Sequence, residues 1–424
     1  MSNAKPQQTR RTFLKIGAAA ALGAAGWRTG RVAAAENPAA PVRTVTRGPK
    51  FHWFAYYDKL QFDPSQRYLL GMEVDFEHRT PTPDDVIRIG MIDLEDGDRW
   101  IELGESRAWC WQQGCMLQWR PGTQSEILWN DREGDRFVCH LLDVKTGKKR
   151  TIPHPVYTVS SDGKTAVAPD FSRIDAMRPG YGYKGLPDRF ESDLAPKDSG
   201  IFRIDLESGE SRQIISLAQI ATVPYPINDL SQKKHYFNHL LFGPDGKRFI
   251  FLHRWAPRDT CDCRTRMFTA APDGSDVRVV DHSGCTSHFI WRDPEHILAW
   301  SWHVGRRGGY TVFEDKPEGG QAVDIGGEVM VRDGHCTYLP GNEWIVNDSY
   351  PDANRNRSLF LYHVATGKVV PVGLFHSPKV YDGEWRCDLH PRHSPDGNYL
   401  TIDSPHTGEG RQIHLIDIRE LVKG

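Results

Sequence analysis

The 424-residue chain lacks a surplus of charge: 53 Lys and Arg stand against 55 Asp and Glu, a formal charge of −2. Nucleic acid and anionic membranes ask for a basic excess, so neither is an expected partner. Beyond residue 35 no stretch is apolar enough to span a bilayer, which predicts a mature protein without a membrane span. The eight cysteines show no zinc-finger spacing. Ordinary hydrophobic and charged fractions, 39% and 25%, exclude a coiled coil, a collagen-like rod and wholesale disorder. What is plentiful is turn and ring: 39 Gly, 28 Pro, 18 Phe, 14 Tyr and 13 Trp suit a turn-rich β protein better than a helical one.

The N-terminus reads as an address. Thr9-Arg10-Arg11-Thr12-Phe13-Leu14-Lys15 is a twin-arginine motif, an Ala-rich stretch follows from Ile16 to Trp27, and Ala33-Ala34-Ala35 offers small residues to a signal peptidase. Residues 1–35 are therefore expected to be a twin-arginine signal peptide handled by the matching export machinery, and the mature protein to be periplasmic or secreted. Disulfides are allowed there.

One segment recurs seven times: an aromatic or polar residue, a turn near Pro-Asp-Gly, then an apolar strand. Its clearest copy is Phe242-Gly-Pro-Asp-Gly-Lys-Arg-Phe-Ile-Phe-Leu252, and the others begin near Phe62, Trp119, Ser160, Trp291, Tyr338 and His393. Alternating strands ending in Asp/Thr-Gly turns follow, as at Ile92–Gly97 and Leu142–Gly147. A period of about 45–65 residues is that of four-stranded propeller blades. The fold class is all-β, and residues 36–424 are expected to form a single seven-bladed β-propeller with insertions near 169–200 and 253–266. Long loops on such a fold line its binding mouth. Asp170, Asp175, Arg178 and Tyr181 in the longer insertion are read as parts of a solvated loop.

Aligned on the aromatic position, His239, His288, His335 and His390 each fall three residues before it. Four consecutive blades thus place histidine at one point of the predicted innermost strand, where equal repeat positions form a ring round the axial channel. Met116 and Tyr157 fall there in earlier blades. Converging neutral imidazoles suit a divalent transition metal or a general base near neutral pH. Gln112, Gln113, His235, His253, Arg254, Arg386, Arg392 and His406 lie near the same mouth. Cys261, Cys263 and Cys285, with His282 and His288, form a second possible metal site for zinc; a disulfide to Cys285 and free thiols are equally open readings.

These residues also resemble a family. His239-x-x-Phe-Gly-Pro-Asp-Gly with Phe249-Ile-Phe-Leu-His253-Arg-Trp, then Arg266–Asp276, Ser287-His288-Phe-Ile-Trp and Gly334-His335-Cys-Thr are similar to the oligogalacturonate lyases, a polysaccharide lyase family on a seven-bladed propeller. The similarity runs over roughly residues 225–405. It implies an acidic oligosaccharide as substrate, a manganese ion that binds the uronate carboxylate, and an arginine or histidine that removes the C5 proton. His288 and His335 match metal-bearing positions, and His239 the strand histidine near the substrate. The Gln-x-x-His-x-His cluster of that family is absent around His335, and His390 is expected to supply the replacement ligand. Ulvan lyases, with a structural zinc, are a possible distant relation.

The expected catalytic residues are thus His239, Arg254 and His253, the expected substrate contacts Tyr157, Arg386 and Gln113, and the expected metal ligands His288, His335 and His390. The expected activity is β-elimination of a 4-linked uronate by an exported carbon–oxygen lyase, which needs the carboxylate neutralised, a base at C5 and an acid at the leaving oxygen. A non-catalytic periplasmic scaffold or ligand-binding module, and a metal-dependent sugar hydrolase or isomerase, are the other function classes compatible with the pattern.

Overall fold

The computed structural model describes residues 40–423 except 55, 257–263 and 306. Its strands form seven four-stranded antiparallel sheets, the blades of a propeller. Blades 1 to 6 span residues 51–106, 118–152, 158–216, 234–284, 286–325 and 337–376. Blade 7 takes Arg392–His393, Tyr399–Ser404 and Gln412–Asp417, and borrows Val42–Thr44 from the other end of the chain as its outer strand. Val42 lies opposite Ile416 and Thr44 opposite His414, so the ring is closed by hydrogen bonds. Among the described residues no helix is long and apolar enough to cross a membrane. The expected leader, residues 1–35, lies outside the described residues.

The recurring turn explains itself locally. The N–H of Gly163, Gly246 and Gly397 donates to the carbonyl three residues earlier, at 2.8, 3.0 and 2.9 Å. All three have φ of +70 to +73°, the left-handed region open to glycine at no steric cost. After the turn the chain must be apolar on both sides, because neighbouring blades cover both faces. Ile250, Phe251 and Leu252 are consecutive and fully buried.

Connections between second and third strands and between successive blades share one face of the ring. The insertion at 170–199 belongs to it, and it is packed rather than solvated. Asp170 caps the helix Phe171–Met177 by accepting from the backbone N–H of Ser172 and Arg173. The buried Arg173 donates to the carbonyls of Phe190, Asp193, Leu194 and His235 and pairs with Asp188. Phe171 and Tyr183 stack at 4.2 Å. The second predicted insertion is shorter than expected, since the strand Phe249–Ala256 runs through His253 and Arg254 and the next begins at Thr265. Cys261 and Cys263 lie outside the described residues.

Two departures from regular strand geometry shape the channel. Met116, His239 and His390 share the same repeat position and all have left-handed φ, +59, +50 and +45°. The ladder of blade 4 slips between Asn238 and Leu241, and that of blade 5 between Thr286 and Phe289. These are bulges, which re-aim a side chain out of the sheet. In blade 1 the innermost strand is interrupted: Phe51–Trp53 pairs with Met72–Val74 and Phe62 with Leu69, and between them the chain leaves the ladder. That excursion carries Tyr56, Tyr57, Asp58 and Lys59 across the axis.

Candidate active site

Three of the four in-register histidines meet in space. Ring centroids are 4.2 Å apart for His288–His335 and again for His335–His390. Tyr56 stands between them and the fourth, stacking on His239 at 5.1 Å and meeting His390 edge-on at 5.2 Å. Tyr57 packs against His335 at 5.4 Å. Its hydroxyl donates to the Phe289 carbonyl at 2.7 Å and accepts from the Phe289 N–H at 3.0 Å, so it satisfies the backbone groups that the blade 5 bulge releases.

Carboxylates orient the imidazoles. His335 Nδ1 lies 3.0 Å from both oxygens of Asp348, which also accepts from the His335 N–H at 2.6 Å. His288 Nδ1 lies 2.8 Å from Asp333. With Nδ1 occupied, the free nitrogen of each ring is Nε2, the arrangement by which carboxylate–histidine pairs present a ligand atom to a metal. His335, Asp388 and His390 each offer a ligand atom within 4.8 Å of the others. His390 Nε2 is buried and has no hydrogen-bond partner. An orphaned nitrogen beside a second imidazole and a carboxylate is a donor set that fits a divalent transition ion. His288 borders this trio without belonging to it.

Charges are arranged just as closely. Burial alone would raise the Asp388 carboxyl, but Arg386 and Arg357 hold it well below the carboxylate range. Arg357 Nη1 is 2.7 Å from one of its oxygens and Arg386 Nε 2.7 Å from the other. Burial, then His335, keeps His390 well below the usual imidazole value, and burial, then Arg254 and Arg178, does the same to His239. All the rings that converge with such shifts are neutral at pH 7 and able to accept a proton or a metal.

His239 is held from the opposite side. Gln113 Nε2 donates to its Nδ1 at 3.0 Å and to the Tyr157 hydroxyl at 2.6 Å, and Tyr157 lies 3.2 Å from the same Nδ1. Nε2 therefore carries the ring proton, 3.4 Å from the Tyr56 hydroxyl. Gln112, by contrast, braces the loop before blade 7 through the carbonyls of Glu384 and Arg386.

Arg254 stands opposite Tyr236 in the ladder, and its Nε is buried without a partner. Burial, then Arg178, lowers its guanidinium to about 10. Among the described residues neither Arg254 nor Arg178 has a carboxylate partner, an expensive arrangement unless an anion arrives to complete it. Arg386 points at the same region, donating to the Tyr181 hydroxyl at 2.5 Å.

The sequence-predicted residues thus divide. His239, Gln113, Tyr157, Arg254, Arg386, His288, His335 and His390 come together at the mouth. His253 does not: Arg266 donates to its Nδ1 at 3.1 Å, its Nε2 donates to His235 Nδ1 at 2.9 Å, and His235 Nε2 donates to the Leu230 carbonyl. That relay is buried and ties the connection into blade 4 to the blade, so His253 is a brace rather than a catalytic group. Arg392 is engaged with Asp403 and Gln61, and His406 with His414. Cys285 is disulfide-bonded, which removes its thiolate as a zinc ligand. The other described cysteines, Cys110, Cys115, Cys139, Cys336 and Cys387, are free and buried.

Sequence reasoning missed Asp388, Asp333, Asp348, Tyr56 and Tyr57. The first two had a signal: Asp333-Gly-His335 and Asp388-Leu-His390 repeat a D-x-H pattern one blade apart. In each case the aspartate reaches toward the histidine of the preceding blade, His288 at 2.8 Å and His335 within 4.8 Å.

No protein-family model matches the chain, and no curated protein matches it in sequence. Solved structures do. An oligogalacturonate lyase in complex with manganese is 16% identical, with a TM-score of 0.64 over 91% of this chain and 94% of that one. An oligogalacturonate lyase from Vibrio parahaemolyticus is likewise 16% identical, with a TM-score of 0.63 over 91% and 95%. The tricorn protease is 12% identical, with a TM-score of 0.51 over 88% of this chain and 35% of that one. At these identities the likeness is one of architecture: the chain is a seven-bladed β-propeller similar in fold to oligogalacturonate lyases.

Proposed function

We propose that the protein is a lyase that cleaves uronate-containing oligosaccharides by metal-assisted β-elimination. The observation that carries this reading is the meeting, at one channel mouth, of two guanidinium groups without carboxylate partners among the described residues and a His–Asp ligand trio with an orphaned imidazole nitrogen. An anionic sugar completes both. The fold similarity to an oligogalacturonate lyase solved with manganese supports the same substrate class and makes manganese the first ion to test.

In this reading His335, His390 and Asp388 hold the ion, with His288 beside them. An ion held there would neutralise the uronate carboxylate and so acidify the proton at C5. Arg254 and Arg178 bind a carboxylate and orient the ring. His239 is the base: it is neutral, and the lone pair for the C5 proton sits on Nδ1, where substrate entry exchanges one of the present donors, Gln113 or Tyr157, for the sugar. The C5–H bond breaks toward that nitrogen, a C4–C5 double bond forms, and the C4–O bond breaks. The twin-arginine motif of Thr9–Lys15 supports action in the periplasm or outside the cell.

Incubation with oligogalacturonate and manganese is expected to yield an unsaturated product absorbing in the near ultraviolet. The product should disappear with chelator and fall about 100-fold or more in His239→Ala. Absence of that absorbance on every uronide tried, with any divalent ion, would overturn the reading.

A further inference from the structure

The reaction also needs a proton for the departing oxygen, and the packed insertion brings one to the site. We propose that Tyr181, delivered by the 170–199 insertion, is the general acid that protonates the leaving O4. This rests on the lyase reading above.

The placement is built rather than incidental. Tyr181 is 4% exposed and lies between two glycines of Pro179-Gly180-Tyr181-Gly182-Tyr183. Gly180 has φ +92°, and a Cβ there would meet Glu384 Cγ at 2.9 Å; a Cβ on Gly182 would meet the Asp175 nitrogen at 2.1 Å and the Phe171 oxygen at 2.4 Å. The backbone on both sides of the tyrosine therefore sits tight against the helix Phe171–Met177 and the loop that carries Arg386. Gln112 adds a hydrogen bond to the Gly180 carbonyl. The Tyr181 ring meets His239 edge-on at 5.6 Å, so the phenol and the proposed base border the same part of the mouth.

The hydroxyl has one proton and has not committed it. Its oxygen accepts from Arg386 Nη2, so the arginine's proton fills that contact, and the phenol's own hydrogen finds no acceptor among the described residues. The surroundings sharpen it as a donor. Arg178 lies 4.0 Å over the ring and Arg386 5.8 Å from its centroid. Burial opposes ionisation, yet Arg178 and then Arg386 outweigh it and lower the phenol's pKa, with Asp388 pulling the other way. Tyr181 differs in this from Tyr56, Tyr57, Tyr157 and Tyr183, which burial raises. The other polar and charged groups facing the site are His239 and Arg254 from blade 4, Tyr56 from blade 1, Tyr157 from blade 3 and Tyr350 from blade 6. None accepts the Tyr181 proton.

In the step itself the C4–O4 bond breaks, its electron pair goes to O4, and O4 takes the phenolic proton. The phenolate is left between Arg178 and Arg386, and water restores its proton before the next turnover. No further reactant is needed.

The test compares two leaving groups. With an oligouronide, Tyr181→Phe is expected to lose about 100-fold to 10,000-fold in kcat. With a uronide carrying a 4-nitrophenyl group on O4, a leaving group that departs without help, the loss should shrink to less than about tenfold. Equal losses on both substrates, or no loss on either, would overturn the assignment. Replacing Tyr181 by 3-fluorotyrosine keeps the ring and both arginine contacts; it should move the alkaline limb of the kcat profile to lower pH, and an unmoved limb would count against the proposal even if the Phe variant folds poorly. A wild-type enzyme that makes no unsaturated product from any uronide would instead remove the lyase reading, and this assignment with it.

Discussion

Blades 1–3 and blades 4–7 fill the same inner positions in opposite ways. In the first group that position holds Lys59, Met116 and Tyr157, while Trp53 of the blade 1 inner strand packs with Trp109 and Trp111 at 5.6 and 5.4 Å. All are buried, and apart from the Lys59 ammonium and the Tyr157 hydroxyl that braces His239 they are apolar mass. In the second group every blade gives a histidine, and each is held by a charge, a bulge or a tyrosine. The local backbone is shared, since Met116 has the same left-handed φ as His239 and His390. The repeat therefore supplies an inward-pointing position wherever it occurs, and the residue type decides whether it becomes wall or chemistry.

This division can be broken from either side. The largest effect should follow Trp53→Ala, which leaves a cavity among Trp109 and Trp111 and is expected to cost about 3–5 kcal/mol of stability, read by denaturant unfolding, with metal affinity per folded molecule unchanged. A loss of metal binding in the folded variant would show that the two halves are not separable.

Acid should act on the histidine half first. His235, in the relay with His253, has its pKa lowered to about 4 by burial, and His406 and His414 in blade 7 are lowered to about 4 as well. Groups with depressed folded pKa contribute stability that is fully present above the unfolded value of about 6.5 and is lost as pH falls toward 4, at about 1.4 kcal/mol per unit for each buried ring. Hydrogen exchange between pH 7 and 4.5 should therefore show blades 4 and 7 losing protection before blade 2. Uniform loss would deny the difference.

The smallest of the three effects is the reciprocal of the first. Asp348→Asn keeps the shape beside His335 but weakens the hold on its Nδ1, and should reduce metal affinity about 10–100-fold with little change in melting temperature. Titration against a competing chelator measures it, and unchanged affinity would exclude His335 from the ligand set.

Much of this was legible in the sequence, for physical reasons that differ by residue. The seven turns were readable because Gly163, Gly246 and Gly397 need left-handed φ, which few other residues tolerate. The histidine register was readable because repeat position maps onto ring position. Asp333 and Asp388 went unread although each stands two residues before a histidine, because Asp333 reaches the histidine of the neighbouring blade and Asp388 meets the histidines of both blades. His253 misled for the converse reason. It follows an apolar strand at the mouth, but strand alternation sends it to the face opposite Arg254, toward His235 and Arg266. Tyr56 and Tyr57 had no repeat to betray them, since the excursion in blade 1 occurs once. Tyr181 was dismissed with its loop because nothing in the local composition announces that Arg173 folds that loop down.

The closing sheet has a mechanical side. Val42–Thr44 and Gln412–Asp417 are antiparallel neighbours, so the two tails leave the last blade from the same end of one short ladder. A pull applied to both tails would load the pairs Val42–Ile416, Arg43–Leu415 and Thr44–His414 one after another, as a zipper is opened, instead of shearing them together. The ring is thus weakest to traction on its tails, while any load that bypasses them meets seven sheets packed shoulder to shoulder.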